Sequence, residues 1–384
     1  MRKIAFNASA LLSPLTGIGQ YVRHIALGLQ QQSDWESEFF YDVFWSREVR
    51  DAPLALTTKL LPWVRQQVPF SYLLRRLVQH RRFAAHAKAE RFDLYHEPNL
   101  LLLPFDGPSV LTVHDLSWIR HPEAHPAKRV RAMNQYFEPS LRRATRVLTD
   151  SDFVKRELMD VFGMPAERIQ TVPLGAEDLF RPMAVDETRA ALTPRQLTHG
   201  QYLLAVGTLE PRKNLGVALR AYMNLPSALR HRFPLVLAGM KGWSTGMLEQ
   251  QMAPLLQTGE IRLLGYVPRA ELAAIIAGAA ALVYPSIYEG FGLPPLEAMR
   301  CGVPVIASNV SSIPEVVGRN GSGGGILIDP QDVDGFQQAM SMMLTASDVR
   351  ADLANNALAY SKQFSWERTV TETMAAYRLA CGKS

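Results

Sequence analysis

YPSIYEGFGLPPLEAMRCG, residues 284–302, is the stretch of sequence that decides the fold. Apolar runs flank it on both sides, so the pattern predicts a strand, a loop, a short helix and a second strand. Pro294 and Pro295 suit the first turn of a helix, where a missing N–H costs nothing. Gly302 suits the end of that helix. The stretch therefore predicts one strand–helix–strand unit of an α/β domain.

Two acids lie in this segment, Glu289 in the Gly-rich loop and Glu297 inside the predicted helix. Such a loop and a helix N-terminus direct backbone N–H groups toward one point, which favours a phosphate there. A phosphate repels neighbouring carboxylates. The acids are therefore better suited to accept hydrogen bonds from flanking hydroxyls, such as those of a ribose and of a sugar. The segment predicts a nucleotide-sugar site.

The composition is typical of a soluble globular protein. The chain has 384 residues, enough for two ordinary domains, with 47% hydrophobic and 20% charged residues. Two cysteines, Cys301 and Cys381, are too few for a disulfide framework, which favours a reducing compartment. The N-terminus resembles a signal peptide, but Asn7 interrupts its short apolar stretch. The longest apolar run, 272–284, is shorter than the ~20 residues of a membrane span. We expect a cytoplasmic protein.

Apolar runs alternate with helical stretches in both halves of the chain, which predicts parallel sheets covered on both faces. Periodicity is lost near Gly175–Thr188, which predicts a linker. We expect two Rossmann-like, doubly wound α/β domains, residues 1–180 and 181–365, facing across a cleft that is the default ligand site. The last helix, within 366–384, is expected to pack back on the first domain. The predicted strands are 3–8, 39–44, 94–96, 109–113, 146–149, 202–206, 235–238, 261–263, 281–284, 303–307 and 325–327.

Two bases follow the strand 202–206. Arg212 and Lys213 lie in the loop GTLEPRKN, at a predicted helix start, where they can hold a diphosphate. There they would stabilise the negative charge that grows on a leaving group. The alternative is a pair of exposed bases at a turn. The acidic segment at the same predicted sheet edge favours a function.

Gly17-Ile-Gly19 follows the first predicted strand, in a loop before a helix expected over Tyr21–Gln30. Its position lets the backbone of Gly19 come close to a ligand, although a lone G-x-G is weak evidence. His114 ends the strand 109–113 and can bond a sugar hydroxyl or a phosphate oxygen. The alternative is a structural histidine, with Asp115 orienting it or capping the next segment.

Two D-x-D matches raise the question of a metal-held diphosphate, and we interpret both as helix starts. In the first, at 150–152, Ser151 or Asp152 serves as N-cap of a helix 153–162. The second, at 332–334, begins another helix. His96 lacks metal-ligand spacing to a second ligand. The sequence predicts no metal site.

A basic stretch covers residues 59–91. It has eight bases against one acid, Glu90, interleaved with apolar and aromatic residues. A helix of this kind lying on a surface grips anionic lipid. The alternative is a solvated helix packed on its own domain, and the two are evenly balanced. Nucleic-acid binding is disfavoured because no recognised binding module surrounds the stretch.

Four motifs together resemble a known family. They are GTLEPRKN at 207–214, YPSIYEGFGLPPLEAM at 284–299, the G-I-G loop and VHD at 113–115. In order and spacing they are similar to the retaining glycosyltransferases of the GT-B fold, the large group 1 or family-four type. The resemblance covers about residues 3–380. It extends to bacterial mannosyltransferases of surface-polysaccharide assembly.

The resemblance implies a role for each matching residue around the donor. Glu297 would hold the donor ribose, and Glu289 would hold hydroxyls of the transferred sugar. Arg212 and Lys213 would bind the diphosphate. Many members carry an Arg where this chain has Thr208, so the diphosphate here depends on these two bases.

The remaining implied roles are contacts with the sugar and phosphate. The backbone of Phe291, Gly292 and Leu293 would touch the sugar or the phosphate. From the first domain, Gly19 would approach the phosphate and His114 would contact the sugar. Such enzymes usually need no metal, and no cofactor is expected beyond the nucleotide-sugar substrate.

The implied function is transfer of a hexose, mannose or a related sugar, from a GDP-linked donor with retention of configuration. The implied acceptor is a lipid-linked saccharide of polysaccharide or O-antigen assembly, and the stretch 59–91 would contact an anionic membrane. A glycosidase pair of the two glutamates is disfavoured because one is expected at the ribose. Two alternatives stay open: a nucleotide-sugar epimerase or hydrolase, and a non-catalytic partner in a biosynthetic complex.

Overall fold

The computed structural model describes residues 1–13, 15, 17–50, 71–242, 246–318 and 323–382, without the side chains of 71–76 and 247. The chain divides into two compact units. The first comprises Met1–Leu116, Ala127–Leu174 and Trp366–Ser384, and the second comprises Ser117–Pro126 and Gly175–Ser365. The sequence placed the boundary after residue 180, within the stretch 172–184 that has no helix or strand. Residues 117–126, assigned from sequence to the first domain, lie with the second unit.

A seven-stranded sheet forms the centre of the first unit. Its strands are β1 (Arg2–Asn7), β2 (Trp35–Tyr41), β3 (Phe44–Ser46), β4 (Leu94–Glu97), β5 (Ser109–Val113), β6 (Arg146–Thr149) and β7 (Ile169–Thr171). Their order is β3-β2-β1-β4-β5-β6-β7. All neighbours pair in parallel except β2 and β3. The chain order reverses between β1 and β4, so a ligand crevice is expected beyond their carboxyl ends.

The helices of the first unit include the last one of the chain. In that helix Thr369 Oγ1 donates a hydrogen bond of 2.8 Å to the Pro173 carbonyl. Its Val370 lies so close to Gly28 that an added Cβ there would be 2.6 Å from a methyl carbon, so only glycine allows these two helices to pack. The helices are Gly17–Gln30, Ser71–Glu90, Ala127–Arg143, Asp152–Phe162 and Trp366–Ala380.

A six-stranded parallel sheet forms the centre of the second unit. Its strands are β8 (Leu203–Val206), β9 (Leu235–Ala238), β10 (Ile261–Gly265), β11 (Ala281–Tyr284), β12 (Val305–Ser308) and β13 (Gly325–Ile328). Their order is β10-β9-β8-β11-β12-β13, the Rossmann order. The order reverses between β8 and β11. The two loops predicted to bind the donor follow these two strands.

Both faces of this second sheet are covered. Leu204 and Leu282 belong to one buried core cluster, whereas their strand neighbours Leu203 and Val283 belong to another. Alternate residues of a strand point to opposite faces, so helices must lie on both sides. The helices of the second unit are Ser117–Arg120, Val185–Leu192, Leu215–Met223, Ser227–Arg232, Gly246–Gln257, Arg269–Ala277, Leu293–Arg300, Ile313–Val317, Val333–Thr345 and Ser347–Ser361.

The structure confirms the predicted class of two doubly wound α/β units and corrects individual elements. The predicted strand 39–44 is two strands, because Asp42, with φ +57°, reverses the chain between β2 and β3. The predicted strand 303–307 begins only at Val305, after Pro304. Strand β7 was not predicted, since its three residues carry little periodic signal.

The basic stretch 59–91 lies partly outside the described residues. Residues 59–70 and the side chains of Arg75 and Arg76 are not described. The described part is the helix Ser71–Glu90, on which Arg81 and Arg82 are exposed beside the exposed Leu77. None of the described helices combines the length and the apolar character that crossing a bilayer requires.

Candidate active site

The loops after β8 and β11 bring Arg212, Lys213 and Glu289 into one buried cluster. Glu289 Oε1 accepts hydrogen bonds from Lys213 Nζ at 2.7 Å and from the Tyr284 hydroxyl at 2.9 Å. Glu289 Oε2 accepts one from Arg212 Nη1 at 2.9 Å. Arg212 and Lys213 lie 77 and 76 positions from Glu289 in sequence, so the fold of the sheet joins them.

Burial and the neighbouring charges in the cluster shift the pKa values of Glu289 and Lys213. Burial raises the pKa of Glu289, but Arg212 and Lys213 outweigh it and hold that pKa at about 2. Burial, reinforced by the nearby Arg212 charge, lowers the pKa of Lys213 even though Glu289 opposes the shift. A buried ion pair is stable only with further hydrogen bonds, and here Tyr284 supplies one to each partner.

A second acid, Glu210, holds Arg212 from its other side. Glu210 Oε1 accepts hydrogen bonds from Arg212 Nε at 3.1 Å and Nη2 at 2.8 Å. Arg212 Nη1 also donates to the Tyr288 carbonyl at 2.8 Å. Two carboxylates thus balance two cations before any anion binds. The sequence prediction that Arg212 and Lys213 are equivalent diphosphate ligands did not include Glu210.

Close backbone contact beside the cluster depends on glycine. Gly239, at the end of β9, has φ +157°, and an added Cβ would lie 1.9 Å from the Gly207 carbonyl oxygen. Gly207 begins the loop that carries Lys213, and its own added Cβ would be 3.3 Å from Lys213 Cε. A side chain at Gly239 would therefore push this loop out of place.

The helix Leu293–Arg300 begins and ends as predicted. Two prolines occupy its first turn, Gly292 with φ +119° precedes it, and Gly302 with φ +69° follows it. Phe291, before Gly292, is buried against Phe364 with ring centroids 5.8 Å apart. The backbone of 291–293 thus lies at the helix N-terminus, where its contact with sugar or phosphate stays a prediction.

Two serines after β12 fix this loop, and sequence reasoning missed them. Ser312 Oγ donates to the carbonyls of Glu289 at 2.9 Å and Phe291 at 2.8 Å. Ser311 Oγ accepts from the Glu289 N–H at 3.0 Å, with Ser311 in the left-handed conformation at φ +56°. The strained residue at a ligand loop is typical of a functional site.

Glu297 lies in a second buried cluster. It is 3% exposed, and its Oε1 accepts from Arg269 Nη2 at 2.7 Å. Arg269 also pairs with Glu177 at 2.5 Å and stacks on the Phe180 ring at 4.6 Å. Burial raises the pKa of Glu297 although Arg269 opposes it. The predicted ribose contact is untested, but one oxygen of Glu297 is already bonded.

His114 of the first unit has protein partners at both ring nitrogens. Nδ1 bonds Asp150 Oδ2 at 2.7 Å, and Nε2 bonds the Pro98 carbonyl at 2.9 Å. Burial lowers the pKa of His114, but Asp150 and the Pro98 carbonyl outweigh it, so the pKa is raised and the ring can donate at both nitrogens. Asp150, after β6, is the partner of Nδ1, and the sequence did not indicate it; the two roles considered for Asp115 stay predictions. Contact of His114 with a sugar stays a prediction.

Gly19 lies inside a helix rather than in a loop. The helix begins at Gly17, four residues before the predicted start at Tyr21. Gly19 is buried, and an added Cβ would lie 3.1 Å from Leu15 Cδ2. Its approach to a phosphate stays a prediction.

Both D-x-D matches lie at helix starts, as the sequence predicted. Ser151 caps the helix Asp152–Phe162 by accepting from the Val154 N–H, and Asp332 caps Val333–Thr345. Within the described ranges, no group of three His, Cys, Asp or Glu side chains is arranged to hold a metal.

Comparison with known proteins places these observations in a family. A model described as Glycosyl transferases group 1 matches residues 194–359, and one described as Glycosyltransferase Family 4 matches 15–178. The chain is 39% identical to O-antigen chain mannosyltransferase B of Escherichia coli, over 98% of this chain and 100% of that protein. It is 29% identical to the serotype-specific mannosyltransferase WbdA of Escherichia coli over 72% of this chain, and spans only 34% of WbdA.

Similarity in structure supports the same grouping at the level of the fold. Sucrose-phosphate synthase of Thermosynechococcus elongatus matches with a TM-score of 0.76 at 21% identity, over 99% of both chains. This confirms the predicted GT-B fold class. Because both family models match and a 39% identical relative is covered from end to end, the chain belongs to the glycosyl transferases group 1 family.

Proposed function

We propose that this glycosyltransferase moves mannose, or a closely related hexose, from a GDP-linked donor to a lipid-linked saccharide in O-antigen or related polysaccharide assembly. The relatives named as mannosyltransferases support the sugar and the pathway. The buried cluster of Lys213, Arg212 and Glu289 at the switch point of the second sheet is the observation that carries the proposal. The reaction needs neither a metal ion nor a cofactor.

The cluster has the chemistry that a nucleotide sugar requires. Lys213 has three N–H donors, of which Tyr284 and Glu289 take two, and the third would donate to a diphosphate oxygen. Glu289 is ionised at neutral pH because Arg212 and Lys213 hold its pKa at about 2, and its Oε2, which accepts from Arg212, would accept a second hydrogen bond from a sugar hydroxyl. Glu297 would accept from the ribose through the oxygen that does not face Arg269.

The protein would act mainly by positioning and electrostatics. In the proposed step the bond between the anomeric carbon and the diphosphate breaks. A diphosphate oxygen takes the proton of the acceptor hydroxyl on the same face, and the acceptor oxygen bonds to the anomeric carbon there. The charge that develops on the diphosphate falls next to Lys213.

A thermal-shift screen of GDP-, UDP-, ADP- and dTDP-sugars tests the donor. We expect a GDP-sugar to stabilise the wild type, by ~2.7 kcal/mol at 100 times its dissociation constant, and not to stabilise Glu297→Ala. Glu271→Ala is the control, because this half-exposed acid lies on the same helix as Arg269, Arg269–Ala277, and pairs with Arg195 outside the cluster. If a UDP-, ADP- or dTDP-sugar stabilises the wild type instead, the donor is linked to that nucleotide and not to GDP. If no nucleotide sugar stabilises it, the protein is better explained as a non-catalytic partner in a biosynthetic complex.

The stereochemistry of the product is a separate prediction. If the diphosphate accepts the proton on the face that it leaves, the new linkage keeps the α configuration of the donor. The anomeric proton–carbon coupling in the NMR spectrum of the product distinguishes the two anomers. A β linkage from an α-linked donor would contradict the retaining mechanism.

We also propose that the first unit contacts the cytoplasmic face of an anionic membrane through the helix Ser71–Glu90. Arg81 and Arg82 are exposed there beside Leu77 and Val78, which are 47% and 38% exposed. Basic residues beside apolar ones favour anionic lipid, at about 1 kcal/mol per base.

A vesicle-sedimentation assay tests this contact. Arg81→Glu with Arg82→Glu is expected to abolish binding to vesicles rich in phosphatidylglycerol while GDP binding is kept. The matched control, Arg129→Glu with Arg131→Glu, changes two exposed bases of the helix Ala127–Arg143. Equal loss in both pairs would point to net charge alone, and unchanged binding would leave the helix as a solvated surface.

A further inference from the structure

A cavity in the first unit lies where the order of its sheet reverses. It opens beyond the carboxyl ends of β1 and β4 and has a volume of about 340 Å³. Small-molecule pockets range over roughly 300–1,000 Å³, so this one suits a single sugar ring. Its polar lining residues are Asn7, Ser9, Asp42, Gln79, His80, Glu97 and Asn99.

Glu97 forms the buried floor of this cavity. It is 3% exposed, and its Oε2 accepts from Asn7 Nδ2 at 2.8 Å and from the Tyr95 hydroxyl. Its Oε1 accepts only a longer bond, 3.2 Å, from the Asn99 N–H. A carboxylate oxygen has room for a second donor. Burial raises the pKa of Glu97 to about 7, so a substantial fraction is ionised at neutral pH.

Hydrogen bonds between protein groups hold the wall and rim of the cavity in place before any ligand binds. Ser9 Oγ donates to Asn7 Oδ1 at 2.6 Å and accepts from the Asp42 N–H at 3.0 Å. Gln79 Nε2 donates to Asp42 Oδ1 at 3.3 Å. The Pro98 carbonyl, between Glu97 and Asn99, is bonded by His114. His114 thus acts as a positioning residue for this wall.

The lining favours hydroxyl groups and disfavours anions. Two carboxylates, Asp42 and Glu97, line the cavity, and its described lining residues include neither Lys nor Arg. A phosphate or a uronate would meet like charge there. Leu101 and Leu103 supply apolar surface, which a pyranose ring can cover with its C–H face.

We propose that this cavity binds a neutral pyranose through its hydroxyls, with Glu97 and Asn7 as the specificity-determining pair, and that it excludes sugars bearing phosphate or carboxylate. The identification of the bound ring as the terminal sugar of the acceptor rests on the proposed function. The binding of a neutral pyranose in the cavity does not depend on it.

Saturation-transfer NMR without any donor tests the cavity. Methyl α-mannoside is the neutral probe and mannose 6-phosphate its anionic counterpart. We expect the neutral probe to bind the wild type and the anionic one to give no signal. Glu97→Gln should raise the Kd of the neutral probe at least about tenfold, the loss of one hydrogen bond to a charged group. Gln79→Ala, at the partly exposed rim where folding is not at risk, should weaken it less.

The control is Glu38→Gln, which replaces a buried acid of β2 that pairs with Arg47 and His86 and does not line the cavity. Wild-type binding that survives in Glu38→Gln and weakens in Glu97→Gln supports the proposal. No binding of methyl α-mannoside, or equal binding of mannose 6-phosphate, overturns it.

Failure of the cavity and failure of the proposed function give different results. If the protein binds GDP-sugar but not methyl α-mannoside, the proposed donor stands and the cavity proposal fails. If the protein binds methyl α-mannoside through Glu97 but no GDP-sugar, the cavity proposal stands and the proposed donor is wrong.

Discussion

Glu289→Gln is expected to slow sugar transfer by about 10- to 100-fold, the cost of one or more hydrogen bonds to a charged acceptor, while GDP binds at least as tightly as to the wild type. The opposite directions follow from the charge balance of the cluster. Glu289 neutralises Lys213 and Arg212 at 2.7 and 2.9 Å. Its replacement by a neutral amide leaves the cluster with a net positive charge, which would attract a diphosphate.

Isothermal calorimetry with GDP and initial rates with the donor sugar measure the two effects. The matched control is Glu210→Gln, which removes the other carboxylate on Arg212 but leaves Glu289 and Lys213 paired. It should lose less activity than Glu289→Gln. Loss of GDP affinity in Glu289→Gln, with transfer unchanged for the donor that remains bound, would show that the carboxylate holds the nucleotide side rather than the sugar.

Local signals in the sequence were sufficient to predict the helix and the strands that carry this site. The helix Leu293–Arg300 could be predicted because prolines and glycine mark its ends within ten residues. Strands β5, β6, β9 and β11 have their predicted bounds, since parallel strands buried on both faces are continuous apolar runs. The alternation of such runs with helices then predicted two doubly wound units.

The pairing of charges within the site could not be predicted, because it joins residues far apart in sequence. Arg269 meets Glu177 across 92 residues and then Glu297. Asp150 reaches His114 across 36 residues. Arg269 lies in none of the motifs that the sequence analysis considered. Asp150 was interpreted as part of a helix start, which its neighbour Ser151 indeed provides.

These contacts predict different roles for Arg212 and Lys213, to which the sequence analysis assigned the same role. Arg212 contacts Glu210, Glu289 and the Tyr288 carbonyl, so its hydrogen bonds serve to hold the loop. Lys213 keeps a donor beyond its two contacts. Because Thr208 stands at the place where many members carry an Arg, we expect Lys213 to be the main cation for the leaving group.

Lys213→Met is therefore expected to lower kcat by about 10²–10³-fold, the effect of removing one donor that stabilises developing charge. Methionine keeps most of the stem that packs on Gly207, and Glu289 keeps Arg212 as its partner, so the second unit should still fold. Steady-state rates with saturating donor measure kcat, and the melting temperature checks the fold.

Arg212→Gln is the comparison that decides between shared and separate roles. If Arg212 acts by positioning, its loss should raise the KM for donor and lower kcat less than Lys213→Met does. A leaving diphosphate gains charge only as the bond breaks, so a group that contacts it directly affects kcat most. Equal losses of kcat in the two variants would mean that both bases contact the diphosphate. A larger loss in Arg212→Gln would make the guanidinium the main leaving-group ligand and would require the Glu210 pair to open when the donor binds.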